Sequence, residues 1–322
     1  MAKVESTSSK KLSAIYVFGD STVDPGNNNN LYTLVKSNFA PYGMDFPNQV
    51  ATGRFTNGKL TTDYIGVKKE LLPPYLDSKL RSMEDLMTGN VIPMAKQLEY
   101  FRECKRRLEG SKLGKEGTES HMQKAIFVIS AATNDFVVNY FTLPIRRSYT
   151  LFTYQHFLIQ HVKDFVQNLW KEGGRRIAVV GLPPMGCLPI MITSKSNNSF
   201  KERGCIDKYS SIARDYNQML QQELQSLQLN LPYPGAKVYY IDIYQPLADM
   251  VQHHEKYGFD EVNKGCCGSG YIEASFLCNN ISLVCSDPSK YVFWDSIHPT
   301  QEAYHNIFLA ARSTIDFIIN DH

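Results

Sequence analysis

The chain lacks a hydrophobic run long enough to cross a bilayer, which takes about 20 apolar residues, so no transmembrane segment is expected among its 322 residues. It also lacks an excess of either charge: 34 Lys and Arg stand against 32 Asp and Glu, a net charge of +2. That balance provides no field to gather a phosphate backbone, so nucleic acid is not an expected partner. Lys105-Arg106-Arg107 and Arg146-Arg147 read as short solvated faces. Gly19-Asp20-Ser21 opens no Gly-x-x-x-x-Gly-Lys phosphate loop and no Gly-x-Gly-x-x-Gly follows a strand pattern, which argues against a nucleotide site there. The paired Cys-x-x-Cys knuckles of a zinc site are missing. His253 and His254 are adjacent, about 100° apart if helical, and read as a solvated pair. No cofactor and no metal are expected.

The segment MAKVESTSSKKLS at the start has no apolar core of a secretory signal. The cysteines point the other way. Cys187, Cys205, Cys266, Cys267, Cys278 and Cys285 fall in the second half, mostly in Gly-, Asn- and Ser-rich stretches, while Cys104 lies in a helical pattern. Adjacent Cys266 and Cys267 suit two separate disulfides, which implies an oxidising compartment. Six cysteines allow fifteen pairings. Asn197-Asn198-Ser199 and Asn280-Ile281-Ser282 are glycosylation sequons, a common tripeptide that adds little.

What the chain has is enough apolar material for one large core, 43% hydrophobic residues with 19 Tyr and 17 Phe. No Pro/Gly/Ser linker divides it, so residues 1–13 are read as a flexible tail and 14–320 as a single domain. Ala14 to Phe18, Ala125 to Ser130, Ile177 to Gly181 and Val238 to Ile243 are short apolar runs bounded by turn formers, the pattern of buried strands. Helical stripes lie between them: Leu98, Phe101 and Leu108; then Phe157, His161, Phe165 and Leu169; then Ile212, Tyr216, Met219, Leu220 and Leu227. A last helix runs from about Gln301 to Ile319. His161, inside an apolar stripe, is expected to be a core or half-exposed histidine. The β-α-β-α order predicts a three-layer α/β/α fold with a mainly parallel sheet. Ligands in such sheets gather beyond the carboxyl ends of the strands, where Ser21 and Asn134 fall.

The chemistry is carried by two distant blocks. Ala14 to Phe18 runs into Gly19-Asp20-Ser21, and far downstream Trp294-Asp295-Ser296-Ile297-His298-Pro299 offers a carboxylate and an imidazole three positions apart. A serine, a base and an orienting acid are the parts of acyl transfer through a covalent intermediate.

With these blocks in place, the chain resembles the plant GDSL esterase/lipases of the SGNH hydrolase superfamily. The likeness includes Phe18-Gly19-Asp20-Ser21, Gly53-Arg54-Phe55-Thr56-Asn57-Gly58, Ala132-Thr133-Asn134-Asp135 with alanine where the family has glycine, Pro183-Pro184-Met185-Gly186-Cys187, Gly265-Cys266-Cys267-Gly268 and Asp295-Ser296-Ile297-His298-Pro299. The resemblance implies Ser21 as nucleophile, His298 as general base and then acid, and Asp295 as the group that orients it. Asn134 and the backbone amide of Ser21 would hold the oxyanion. Asp135 is read as a helix cap, and Asp20 and Asp24 as holding the turn around the nucleophile. A small-molecule or lipid ester is the implied substrate, and a secreted monomer the implied form.

One family block is absent. Between Thr88-Gly89 and Ile92-Pro93 the family carries a short strand and a Gly-rich loop whose glycine donates to the oxyanion, whereas here Met87-Thr88-Gly89-Asn90 runs directly into Val91-Ile92-Pro93. The lost strand would lie at the sheet edge. Three readings follow: a serine esterase, weakened by the missing donor; an acyltransferase using the same groups; or a binding or structural protein that retains the scaffold.

Overall fold

The computed structural model of the chain describes residues 12–65, 71–76, 92–198, 201–230 and 232–321. Most of the expected tail, the junction 87–91 and Ser199 of one sequon lie outside the described residues.

Four parallel strands form the central sheet: β1 (Ile15–Gly19), β2 (Ile126–Ser130), β3 (Arg176–Val180) and β4 (Lys237–Ile241), in the order β1-β2-β3-β4. Each matches an apolar run read from the sequence to within two residues. All five residues of β2 are buried, as a central parallel strand requires when both faces are covered. Alternate residues serve the two faces. Tyr16, Phe18, Phe127, Ile129, Ile177 and Val179 pack on one side; Ile15, Val17, Ile126, Val128, Ala178 and Ile241 pack on the other.

The first face is covered by α1 (Met94–Glu109), α2 (Gly114–Lys124), α3 (Leu151–Lys171) and α4 (Asp207–Leu229). Their buried residues include Leu98, Phe101, Phe165, Leu169, Ile212, Tyr216 and Leu220, so the stripes read from the sequence are core-facing. His161 departs from this. It is exposed, with its ring 4.2 Å from that of Phe157, because the buried line of α3 runs through Tyr154, Leu158, Phe165 and Leu169. On the second face lie α6 (Gln301–Asn320), which follows α5 (Tyr244–Gln252), and the 3-10 segment Thr61–Ile65. Thr300 caps α6, its hydroxyl accepting from the Ala303 N–H. Arg176, buried at the start of β3, donates to the carbonyls of Ile319 and Lys124 and so ties the end of α6 to the sheet.

Among the described residues β1 is the edge strand beside α1. Its last residue is not left open. The Gly19 N–H donates to Gln97 Oε1 at 2.9 Å, and Gln97 Nε2 donates back to the Gly19 carbonyl at 2.8 Å. One side-chain amide from α1 thus does at this position what a neighbouring strand would do. A second, two-stranded parallel sheet, β5 (Glu261–Gly265) with β6 (Tyr291–Phe293), carries the chain towards Asp295.

Candidate active site

Ser21 stands just past the end of β1. The glycine before it is a steric requirement: a Cβ on Gly19 would come within 1.9 Å of the Ser130 carbonyl oxygen of β2. The turn is then held by acids. Asp20 Oδ1 accepts from the Thr22 N–H and hydroxyl at 3.0 and 2.7 Å, and Asp24 Oδ1 from the N–H groups of Gly26 and Asn27. Burial pushes the Asp20 carboxyl above its ordinary range, opposed by the Thr22 hydrogen bonds and by the nearby His298.

The Asp295–His298 segment is a tight turn closed by its own carboxylate. Asp295 Oδ1 accepts from the backbone N–H of Ile297 at 2.8 Å and of His298 at 2.7 Å. That bend turns the imidazole back, so His298 Nδ1 lies 2.7 Å from Asp295 Oδ2. Trp294 N–H donates to the His298 carbonyl, and Phe293 bridges Pro299, which fixes both ends. The three-residue spacing is therefore the length of one Asx-type turn.

Across 277 positions of sequence, Ser21 Oγ and His298 Nε2 are 2.7 Å apart. With Nδ1–H donating to Asp295, Nε2 is left to accept the Ser21 proton. The ring is packed by Phe55, whose centroid is 5.1 Å away. Phe55 belongs to the Gly53–Gly58 block, clamped on both flanks. Arg54 makes a buried two-pronged ion pair with Asp63, while Thr56 donates to the Pro299 carbonyl and Asn57 Oδ1 accepts from the Gln301 N–H.

Asn134 follows β2 at the same rim, at the N-terminus of the π-helical segment Asp135–Thr142. Its side chain makes no capping bond there. The cap expected of Asp135 is not formed either, because Asn134 already occupies the capping position and Asp135 lies in the first turn. Burial pushes the Asp135 carboxyl up, opposed by Asn139 and Arg146. Ala132, where the family has glycine, has φ of 87°, a left-handed conformation that glycine adopts without a Cβ clash.

The profile of the GDSL-like lipase/acylhydrolase family matches residues 15–311. A GDSL esterase/lipase of Arabidopsis thaliana is 50% identical over 341 residues, covering 99% of this chain and 90% of its own length. A second from that plant is 42% identical over 320 residues, covering 92% of this chain and 88% of itself.

The chain belongs to the GDSL lipase/acylhydrolase family.

The GDSL block Phe18–Ser21 and the closing Asp295–Pro299 block are thus the two that meet in space. The alignment with the first relative is longer than the 322 residues of this chain, so that GDSL protein carries residues with no counterpart here. The other GDSL blocks act as supports. Cys266–Cys285 and Cys267–Cys278 are disulfides, as is Cys187–Cys205, and Cys104 is free. Adjacent Cys266 and Cys267 therefore do serve two separate bridges. Gly265 lets this cluster press on the site, since a Cβ there would meet the Asp295 backbone at 2.7 Å. Among the described residues no three potential ligands gather as a metal site, and no helix is long and apolar enough to cross a membrane. His254 Nδ1 bonds the Phe259 carbonyl and His253 is exposed beside Asp249.

Two residues escaped the sequence reading. Tyr42 is fully buried, and its hydroxyl donates to Asp295 Oδ2 at 2.8 Å while accepting from the Ser275 N–H at 2.7 Å. Nothing in Ala40-Pro41-Tyr42-Gly43 marks it locally. Gln97 had a usable signal: an edge strand needs some partner for its N–H and C=O.

Proposed function

We propose that the chain hydrolyses carboxylic esters through an acyl-enzyme at Ser21. The reading rests above all on the 2.7 Å contact between Ser21 Oγ and His298 Nε2, with Asp295 at the far side of the ring. As the serine oxygen attacks the ester carbonyl, His298 takes its proton and Asp295 stabilises the resulting imidazolium. The tetrahedral oxyanion is held by the Asn134 side-chain amide and the Ser21 N–H. Collapse expels the alcohol, protonated by His298. Water then attacks the acyl-enzyme with His298 as base, releasing the acid and restoring Ser21. The protein acts extracellularly in this reading, supported by the three disulfides.

The family's Gly-containing block is absent, and a relative longer than this chain across the matched span supports that absence. Gln97 does not stand in as a donor, because its Nε2 is engaged by the carbonyls of Gly19 and Ile92. One missing oxyanion donor costs about a hundred- to a thousandfold in turnover. Turnover is therefore low here and rises when the block is restored; equal turnover would remove the oxyanion argument. The functional reading itself is tested by a fluorophosphonate probe and an ester panel. Wild type is labelled at Ser21 and hydrolyses esters, and Ser21→Ala does neither. Absence of labelling in a folded wild type would favour a scaffold without catalysis.

A further inference from the structure

The Gly53–Gly58 block supplies no acid, base or nucleophile to the site, yet it is held on several sides. Arg54, buried with Asp63 in a two-pronged ion pair, also donates to the carbonyls of Pro25 and Leu72. Thr56 donates to the Pro299 carbonyl at 3.0 Å, and its own carbonyl accepts from the Gly43 N–H. Asn57 is bonded to the Gln301 N–H and to the Asp45 carboxylate. These contacts fix the residues on either side of Phe55.

Phe55 itself is fully buried. It meets the Tyr42 ring edge-on, at 6.1 Å and 73°, and the His298 imidazole at 5.1 Å with 32° between the planes. The contact with His298 is therefore closer to face-to-face than to edge-on. Its separation is within the ~6 Å over which a cation is attracted by the negative face of an aromatic ring.

His298 is neutral when an ester arrives and a cation while it holds the Ser21 proton. The ring face favours the cation, so the contact strengthens on the way to the tetrahedral intermediate. An interaction made mainly in the transition state raises kcat, whereas one made equally in the ground state does not. The carboxylates that act on the imidazole are Asp295, against Nδ1, and Asp20, from the turn after β1. At Nε2 stands the neutral Ser21 hydroxyl. An aromatic face adds to this set without burying another charge.

We propose that Phe55 is a positioning residue that stabilises the His298 imidazolium through its ring face, and that the contacts of the Gly53–Gly58 block hold that face in place. The proposal rests on general-base catalysis by His298 in ester hydrolysis at Ser21. A desolvated contact of this kind contributes roughly five- to thirtyfold.

The test replaces Phe55 by phenylalanines bearing one, two and three fluorine atoms, which draw charge from the ring face and change its shape little. Phe55→Leu is the conventional variant, and thermal unfolding controls for folding. On p-nitrophenyl acetate, kcat is expected to fall with each fluorine, by roughly five- to thirtyfold in all, with KM nearly unchanged. The acid limb of the kcat/KM profile moves to lower pH along the series, by up to roughly 0.7–1.5 units, the same fold-change on the pH scale. Equal kcat throughout, or losses in folded proteins that do not follow the fluorine count, overturn the proposal. Proton NMR of the His298 imidazole, assigned with His298→Ala, reads the same effect without turnover. A midpoint that falls along the series supports the role of Phe55 even if no ester is hydrolysed and Ser21 resists labelling; an unmoved midpoint overturns it.

Discussion

The Tyr42 hydroxyl donates to Asp295 Oδ2 across 2.8 Å and is itself held by the Ser275 N–H at 2.7 Å. Ser275 lies within the loop closed by Cys267–Cys278, so a disulfide-pinned segment supports the carboxylate that supports His298. Burial first, and then the Asp295 charge, push the Tyr42 phenol well above its ordinary range, which keeps it a donor at any working pH. A hydrogen bond to a charged group is worth about 1.5–3 kcal/mol. Tyr42→Phe retains the ring against Phe55 and Trp294 but frees one oxygen of Asp295 and strands the Ser275 N–H. The expected result is a fall in kcat of roughly ten- to a hundredfold with KM nearly unchanged. Steady-state kinetics on an activated ester, beside thermal unfolding, checks it.

Asn134 tests the oxyanion assignment directly. It makes no cap bond at the start of its helical segment, so truncation leaves the local backbone supported. Asn134→Ala is expected to lower kcat by about a hundred- to a thousandfold with little change in unfolding temperature. A loss of only a few-fold would show that the Asn134 amide does not face the developing charge.

Ala132 is strained in place. Its φ of 87° costs an L-residue about 1–2 kcal/mol, and the freedom that glycine regains in the unfolded chain offsets about 0.4–1 kcal/mol. Ala132→Gly is therefore expected to stabilise the fold by about 1 kcal/mol, or ~1–2 °C in unfolding temperature for a chain of 322 residues. Calorimetry of the two proteins decides the sign.

Asp20 makes stability depend on pH. Its folded-state carboxyl is raised above 3.8 by burial, so the folded state holds the proton more tightly than the unfolded chain. Stability falls as pH rises from 3.8 through the raised value, and the full penalty is present at neutral pH. Asp20→Asn keeps an acceptor for Thr22 and cannot ionise. It is expected to be more stable than wild type at pH 7, with the gap closing as pH drops through that window. Urea unfolding at several pH values would show this, and a gap that widens in acid would reverse the argument.

Much of this was legible because the core signals are local. The strand β2 announces itself as Ile126-Phe127-Val128-Ile129 between turn formers, and the α4 stripe by its spacing. The small sheet was not legible. β5 reads Glu-Val-Asn-Lys-Gly and β6 is three residues long, so neither carries a periodicity that rises above its neighbours. His161 was misplaced for a related reason: a stripe defines a face but not its margin, and one step around α3 moves a side chain from core to solvent.

The sequence by itself located the four strands, their parallel direction, the family resemblance and Ser21, Asp295, His298 and Asn134 as candidate site residues, because apolar period and short motifs are properties of neighbouring residues. Only the tertiary structure decided that Tyr42 holds Asp295 and that Gln97 closes the edge beside Gly19. Those depend on how elements 78 and 253 positions apart settle against one another. Their contacts are fixed by packing and hydrogen-bond satisfaction across the fold, which no local pattern records.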